Sequence, residues 1–590
     1  MKPHPETSAG MATQFSRLRP LFHAYRRRLL MAVCGVALFN VIAVSPPLIF
    51  RYLIDHVVTV ADWARLPFII ALYALAPILS QVLQFFNALN IVNVGQRLVA
   101  DLRTRMYRLS LRLGMTFHGE TPAGELVNRV MGDVGVVQQL LNAQTIQLFG
   151  DVIVFAVSLI VAFTINAVLA TLLVVVVALY VTVYHYFSSR IQASTHSMRE
   201  VNDLLVGRLQ ETLTGVRHVR IFTRETRERE LYLERAQTGL KHGLASGLNT
   251  VGLSASCNVI AGYGSTVIYA LAGWYVLREK MTLGELLALN TYVWMALTPA
   301  LRLTSFAGQF AQIRVSLDRV FSVLSQRPDV ASAPDAPDIV LRHGQVDFSQ
   351  MSFGYAPDKP LFQQFNLAVP AGASVALVGH TGCGKTTLVS LLMRLWDVDD
   401  GEISIDGQNI RAVSLSSLRD LFGVVQQQPV IFEGTVAENI AYGKPGASRD
   451  EIEQAAQAGE VTQFADRLPD GLDTRLGTYG IQLSVGQKQR VSIARALLKK
   501  PAILIMDEAT SAIDSEAEAA IQRAIERAMR QCTSFVVAHR LSTIVGADII
   551  VVLDKGKIAE KGSHQDLVKN AGGIYKGLYD ELCKSGEGGA

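Results

Sequence analysis

The sequence predicts an α-helical membrane domain of six transmembrane helices with long cytoplasmic extensions, fused to an α/β nucleotide-binding domain of the phosphate-loop class. Three observations carry that expectation. Half of the 590 residues are hydrophobic, and they crowd into the first 320 positions. Six stretches there approach the roughly 20 mostly apolar residues that a bilayer-crossing helix needs. Further on, residues 375–388 read VALVGHTGCGKTTL, an apolar run that breaks into glycines and then opens a new helix-like segment at Lys385.

The six spans fall at about 29–54, 66–92, 143–165, 168–188, 251–277 and 284–304. Residues 168–180 have no polar face, which a soluble helical domain would require. No cleavable signal is evident: the apolar run after Arg26, Arg27 and Arg28 reads as a first membrane helix kept in place. Lys and Arg concentrate before span 1, from Arg97 to Arg129 and from Arg190 to Lys241, while the loops after spans 1 and 3 have almost none. Basic residues stay on the cytoplasmic side, so both termini are expected there; Arg278 and Lys280 in the last outer loop are a small exception.

Between spans 2 and 3, and again between spans 4 and 5, the helical pattern continues but turns polar, so these segments should project into water. Each carries a local break, at 117–125 and at 207–225, where short elements can touch a cytoplasmic domain. On span 6, Asn290, Trp294, Thr298, Arg302, Ser305, Gln309 and Gln312 recur at helical spacing. A polar stripe on a membrane helix faces a bundle interior or a water-filled path. Asn290, Thr298 and Arg302 are therefore the candidate cargo residues, with Arg302 either meeting an anionic group or snorkelling to the inner headgroups. Gln81, Gln84, Asn87 and Asn90 on span 2 spiral around their helix and define no single face.

Residues 325–344, which include SQRPDVASAPDAPD, read as a linker by composition. The expected division is 1–324 membrane domain, 325–344 linker, 345–582 nucleotide-binding domain and 583–590 flexible tail.

The chemistry lies in the second half. Gly379, Gly384, Lys385 and Thr386 fit G-x-x-x-x-G-K-[ST]. In such a loop the backbone N–H groups of Gly379, His380, Thr381, Gly382, Cys383, Gly384, Lys385, Thr386 and Thr387 can converge on phosphate at a helix N-terminus. Lys385 can reach the terminal phosphates, and the Thr386 hydroxyl can ligate Mg²⁺. Cys383 sits where a thiolate is favoured, so a maleimide is expected to block the site. Downstream, the apolar strand 501–506 ends in Asp507, placed to hold the Mg²⁺ shell, and Glu508, placed to take a proton from an attacking water. Ser484, Gly486 and Gln487, within LSVGQ, form either a second phosphate-seeking helix start or an ordinary N-cap.

With these motifs in this order, the chain resembles the ATP-binding cassette exporter half-transporters of the lipid A flippase and bacterial multidrug type, over about residues 15–582. The resemblance implies that Tyr355 stacks on adenine, that Gln427 senses Mg²⁺ and the membrane domain, and that His539 contacts the γ-phosphate. It implies that LSVGQ is the family's signature LSGGQ, that Ser511, Ala512, Ile513 and Asp514 cross a dimer interface, and that the 117–125 and 207–225 tips are coupling helices. It also implies ATP and Mg²⁺ as cofactors, sandwiched between two copies of the chain or between it and a related half-transporter. Val485 departs from the signature, and Thr478 with Tyr479 replaces a charged pair common before it.

The expected function is ATP-driven movement of a lipid-like or amphipathic molecule across a bacterial inner membrane; the alternatives are drugs, peptides or glycans in either direction, and an ATP-binding regulator. Glu508 argues against the regulator, which needs no general base. A formal net charge of only +4 gives no reason to expect nucleic acid. The five cysteines, Cys34, Cys257, Cys383, Cys532 and Cys583, lie too far apart for a zinc site or a disulfide framework.

Overall fold

The structure is a computed structural model that describes residues 23–139, 142–356, 358–477, 480–507, 515–530, 532–537, 541–570 and 572–587. The chain divides into two compact units, Met1–Leu111 with Pro122–Gln326, and Arg112–Thr121 with Arg327–Ala590. The short segment Arg112–Thr121, at the tip between spans 2 and 3, thus groups with the second unit.

The first unit is helical. Among the described residues five helical stretches are long and apolar enough to cross a membrane, Arg26–Val58, Leu66–Ser110, Gln147–Ile165, Ala167–Thr214 and Glu225–Leu277. Span 6 belongs to the helix Leu283–Leu324, whose side chains at 300–312 lie outside the description. At 1.5 Å per residue the 45 residues of Leu66–Ser110 extend about 68 Å, more than twice a bilayer's hydrocarbon thickness. The polar ends of such helices must therefore stand in water. Their tips carry the short helices Met115–Glu120 and Val216–Ile221, at the two breaks the sequence marks.

Close packing between spans accounts for Gly264. A Cβ on Gly264 of span 5 would lie 2.7 Å from Val176 of span 4, so the backbones approach as small residues allow. Leu169, Leu173, Ile268, Ala272, Leu289 and Val293 make the shared core of spans 4, 5 and 6. Spans 3 and 4 are separated by Asn166 alone, whose side chain accepts from the Val168 and Leu169 amides and starts the next helix. Where span 1 ends and span 6 begins, Arg51 meets Glu285 at 2.6 Å, while Asp55 accepts from the Thr282 hydroxyl at 2.6 Å and the Gly284 amide at 2.9 Å. These bonds clasp span 1 to span 6.

The second unit has a six-stranded sheet in the order Lys557–Gly562, Ile549–Asp554, Ser374–Val378, Thr533–Val537, Ile503–Asp507, Phe422–Val425. Lys557–Gly562 runs antiparallel and the other pairings are parallel. One core, with Leu377, Leu388, Phe362 and Ile403, joins this sheet to an antiparallel sheet of Lys359–Val369, Val346–Ala356, Asp400–Ile405 and Gln408–Asn409. Another, with Val378, Met506, Ala524 and Tyr575, covers the opposite face. A third core, around Val436, Ile440, Phe464 and Val491, belongs to a cluster of helices that includes Val485–Leu498.

Two features modify the sequence expectation. The last helix, Ile574–Glu587, runs past position 582 where a tail was expected, because Tyr575, Leu578, Tyr579 and Leu582 pack at helical spacing on the second core. The Pro- and Ala-rich linker is held at its far end by Asp406, whose carboxylate accepts from the amides of Arg342, His343, Gly344 and Gln345 at 2.8–3.0 Å. Partial burial works against the Asp406 charge, yet the four amides overcome it and hold the pKa at about 2.

An aspartate ordinarily titrates near 3.9, so this depressed value stabilises the fold fully above about pH 4 and loses that contribution as pH falls towards 2. Asp406→Asn should cost about 1–2 kcal/mol at pH 7, a figure discounted for solvent screening. In urea titrations followed by circular dichroism the penalty should be constant from pH 8 to pH 5 and shrink below pH 4. A penalty independent of pH throughout would show that the charge is not what the amides hold.

Candidate functional site

In an open parallel sheet, ligands gather where the strands end at their carboxyl edge. Here the phosphate loop follows Ser374–Val378, Asp507 closes Ile503–Asp507, and Gln427 lies just past Phe422–Val425. The registers Leu377↔Val537, Val537↔Asp507 and Val425↔Met506 set these strand ends side by side. Thr533–Val537, lying between the loop strand and the Asp507 strand, runs towards residues 538–540, which include His539.

The loop depends on two glycines. Gly379 has φ 149°, and a Cβ there would sit 2.2 Å from the Leu553 carbonyl oxygen; Gly384 has φ 107°, and a Cβ there would sit 2.7 Å from the Phe362 ring. Gly384 then caps the helix Lys385–Leu392 in the left-handed conformation. His380, Thr381 and Gly382 are exposed over the turn, and Gly382 has open space where a Cβ would go. The buried Lys385 side chain folds back so that Nζ donates to the carbonyls of Gly379 at 2.7 Å and His380 at 3.1 Å. The ammonium is thus held by two carbonyls of its own loop.

Thr386 is exposed in that first turn, whereas Thr387 is buried and shares a 3.0 Å hydrogen bond with the Tyr355 hydroxyl. Tyr355, 59% exposed, stands edge-on to Trp396 at 5.4 Å. Its aromatic face is thus fixed beside the loop helix. Trp396 carries no signal of its own in the sequence, since only the fold brings it to Tyr355. Gln427 is exposed and Asp507 half-buried. Among the described residues no cluster of three or more His, Cys, Asp or Glu side chains can hold a metal by itself.

Cys383 corrects an expectation. Its thiol is buried in the core beneath the loop, 3.9 Å from Lys385 Nζ, and its amide donates to the His380 carbonyl at 3.3 Å. The side chain is 6% exposed, so the position expected to be maleimide-sensitive is shielded from solvent. Ser484 and Gln487 form a reciprocal capping box: the Ser484 hydroxyl accepts from the Gln487 amide at 3.3 Å, and the Gln487 side chain accepts from the Ser484 amide at 2.9 Å. Gly486 is buried behind them and Val485 is 53% exposed. No hydrogen bond or ion pair among the described residues joins this cap to the phosphate loop.

Several sequence candidates fall elsewhere. Glu508, Ser511, Ala512, Ile513, Asp514 and His539 lie outside the described residues, as do Thr478 and Tyr479. In the membrane unit Asn290 accepts a hydrogen bond from the Tyr269 hydroxyl, which ties span 6 to span 5. Thr298 turns its hydroxyl back to the Trp294 carbonyl at 2.8 Å, and the Arg302 side chain is outside the description.

Residues 29–299 match the ABC transporter transmembrane region, and residues 362–511 match the ABC transporter family of ATP-binding domains. The ATP-dependent lipid A-core flippase of Syntrophus aciditrophicus (strain SB) is 35% identical over 563 residues, 95% of this chain and 93% of that protein. The protein of the same name from Desulfotalea psychrophila (strain LSv54 / DSM 12343) is 37% identical over 499 residues, 85% of this chain and 87% of that one. The solved structure of a bacterial Atm1-family ABC exporter with ATP bound superposes with a TM-score of 0.79 at 30% identity, covering 94% of this chain and 98% of that chain. The chain belongs to the ATP-binding cassette transporters. Within them it is an exporter half-transporter, an integral membrane protein in which one membrane region precedes one ATPase region that couples ATP hydrolysis to transport.

Two outcomes test the geometry. Gly384→Ala forces a Cβ into the Phe362 ring at a left-handed φ, a strain of about 1–3 kcal/mol, and should weaken binding of a fluorescent ATP analogue at least tenfold while the circular dichroism stays unchanged. In mass-spectrometric mapping of the native chain, N-ethylmaleimide should modify the half-buried Cys583 well before Cys383. Equal rates would show that the loop opens readily enough to expose its thiol.

Proposed function

We propose that two copies of this chain, or this chain and a related half-transporter, form an ATP-driven exporter that moves a lipid-like or amphipathic molecule across the bacterial inner membrane. The single observation that carries the reading is the convergence of the phosphate loop, Asp507 and Gln427 on one sheet edge, in a chain whose other half is a bundle of membrane-length helices. Likeness to two lipid A-core flippases across most of the chain favours a lipid class of cargo. The basic segments before span 1 and in the two long polar connections favour a cytoplasmic position for both termini and for the nucleotide-binding unit.

The proposed roles follow from the chemistry of each side chain. Tyr355 supplies the adenine-stacking face, Lys385 turns from its loop carbonyls to phosphate oxygens, and the loop amides take up the remaining charge. Thr386 and Asp507 are the protein groups that hold Mg²⁺, with Gln427 beside them. Bound there, Mg²⁺ neutralises phosphate charge. Glu508 accepts the proton of the attacking water, and His539 orients on the terminal phosphate. Ser484, Gly486 and Gln487 present their capped helix start to the nucleotide held by the other chain. Val485, exposed at that start, rests against the partner's nucleotide or slows its turnover.

The test is ATPase activity of the purified chain in liposomes, screened over lipids, peptides and drugs, with Glu508→Gln as the control. A lipid should stimulate the rate, and Glu508→Gln should lower it at least about 100-fold, as loss of a general base does. Stimulation by peptides or drugs but by no lipid would overturn the cargo class, and an undiminished Glu508→Gln rate would overturn the base.

A further inference from the structure

Span 1 begins with three consecutive arginines, and the fold brings a fourth to them from far along the chain. Arg26, Arg27, Arg28 and Arg97, with His23 and Tyr25, line a cavity of about 450 Å³ between the first turn of span 1 and the inner end of span 2. Among the described residues no acidic side chain lines it, and none of these four guanidiniums pairs with a carboxylate. Asp101, one turn beyond Arg97, is engaged by the Tyr25 hydroxyl at 2.5 Å. Arg26 meets only the His23 ring, at 3.3 Å. The single negative charge of Asp101, held on the Tyr25 hydroxyl at the edge of the cavity, does not balance four guanidiniums, and an anion relieves the remaining repulsion.

Position narrows the class of anion. The Asn90 side chain donates to the Arg28 carbonyl at 2.9 Å and so fixes spans 1 and 2 in register at this level. One turn deeper the surface becomes apolar and open, with Leu30 62%, Met31 59% and Phe86 64% exposed. A ligand with a negative head and hydrocarbon tails matches both zones, since basic pockets between membrane helices on the cytoplasmic side take anionic headgroups. Arginine adds paired N–H donors suited to phosphate oxygens.

The geometry points to a binding site for the headgroup of an anionic phospholipid, formed by Arg26, Arg27, Arg28 and Arg97 on the outside of the bundle. The lipid is held there from the bilayer and is distinct from cargo. This inference uses the membrane orientation proposed above and needs neither ATP nor transport, so its failure leaves the transport reading standing.

Native mass spectrometry of the full-length chain, titrated with phosphatidylglycerol or with phosphatidylcholine of the same acyl chains, reads the site directly. Phosphatidylglycerol should bind about tenfold more tightly, and Arg27→Gln with Arg97→Gln should erase that preference, in line with the contribution of each basic residue near an anionic headgroup. Both are exposed side chains outside the nucleotide site, so basal ATPase activity should persist and report an intact fold. A control pair, Arg229→Gln with Arg235→Gln, removes two exposed arginines from a distant helix and should leave the preference unchanged. Equal binding of the two lipids, a preference that survives the Arg27/Arg97 change, or an equal loss in the control pair would overturn the assignment. So would displacement of the lipid by millimolar inorganic phosphate, which would mark a free-anion site.

Discussion

The second unit depends on parallel strand pairing around Ser374–Val378. Each of its hydrogen-bonded neighbours is parallel, so the chain must leave every one of these strands at the same edge. At that edge the backbone has to curl at once into a helix, which only Gly379 and Gly384 permit against Leu553 and Phe362. Binding chemistry follows from this geometric demand: a tight turn with amides directed outward attracts anions, and the strands alongside deliver Asp507 and Gln427 without any contact being specified locally.

The first unit answers to a different constraint. Inside a bilayer every backbone amide and carbonyl must be satisfied, so the chain crosses as uninterrupted helices. Those helices run on well beyond the hydrocarbon region, so their polar ends stand in water. The Arg51–Glu285 and Asp55–Thr282 bonds tie the end of span 1 to the start of span 6.

What the sequence made legible was what repeats or what is local. Span 3 was read at 143–165 and its helix is Ala143–Ile165; the breaks at 117–125 and 207–225 hold the short helices Met115–Glu120 and Val216–Ile221. The glycines of the phosphate loop were legible because each serves the turn it sits in. Side-chain direction was not. Cys383 lies in the right loop but packs downward, and Ser484 with Gln487 fills the plain capping role that the sequence could not separate from phosphate seeking. Contacts between distant positions were beyond reach as well: Asp406 holding 342–345, Trp396 beside Tyr355, and Arg97 completing a basic cavity with Arg28 have no local signature.

The proposed energy conversion rests on two chains sharing each nucleotide, the capped helix start at Ser484 of one facing the loop at Lys385 of the other; within one chain these two elements flank different cores. Oligomeric mass and ATPase rate, measured on the same detergent-purified sample across a dilution series, test this most directly. The rate per chain should fall in step with the fraction of two-chain particles and vanish when only single chains remain. Single chains that hydrolyse ATP at the undiluted rate would contradict it.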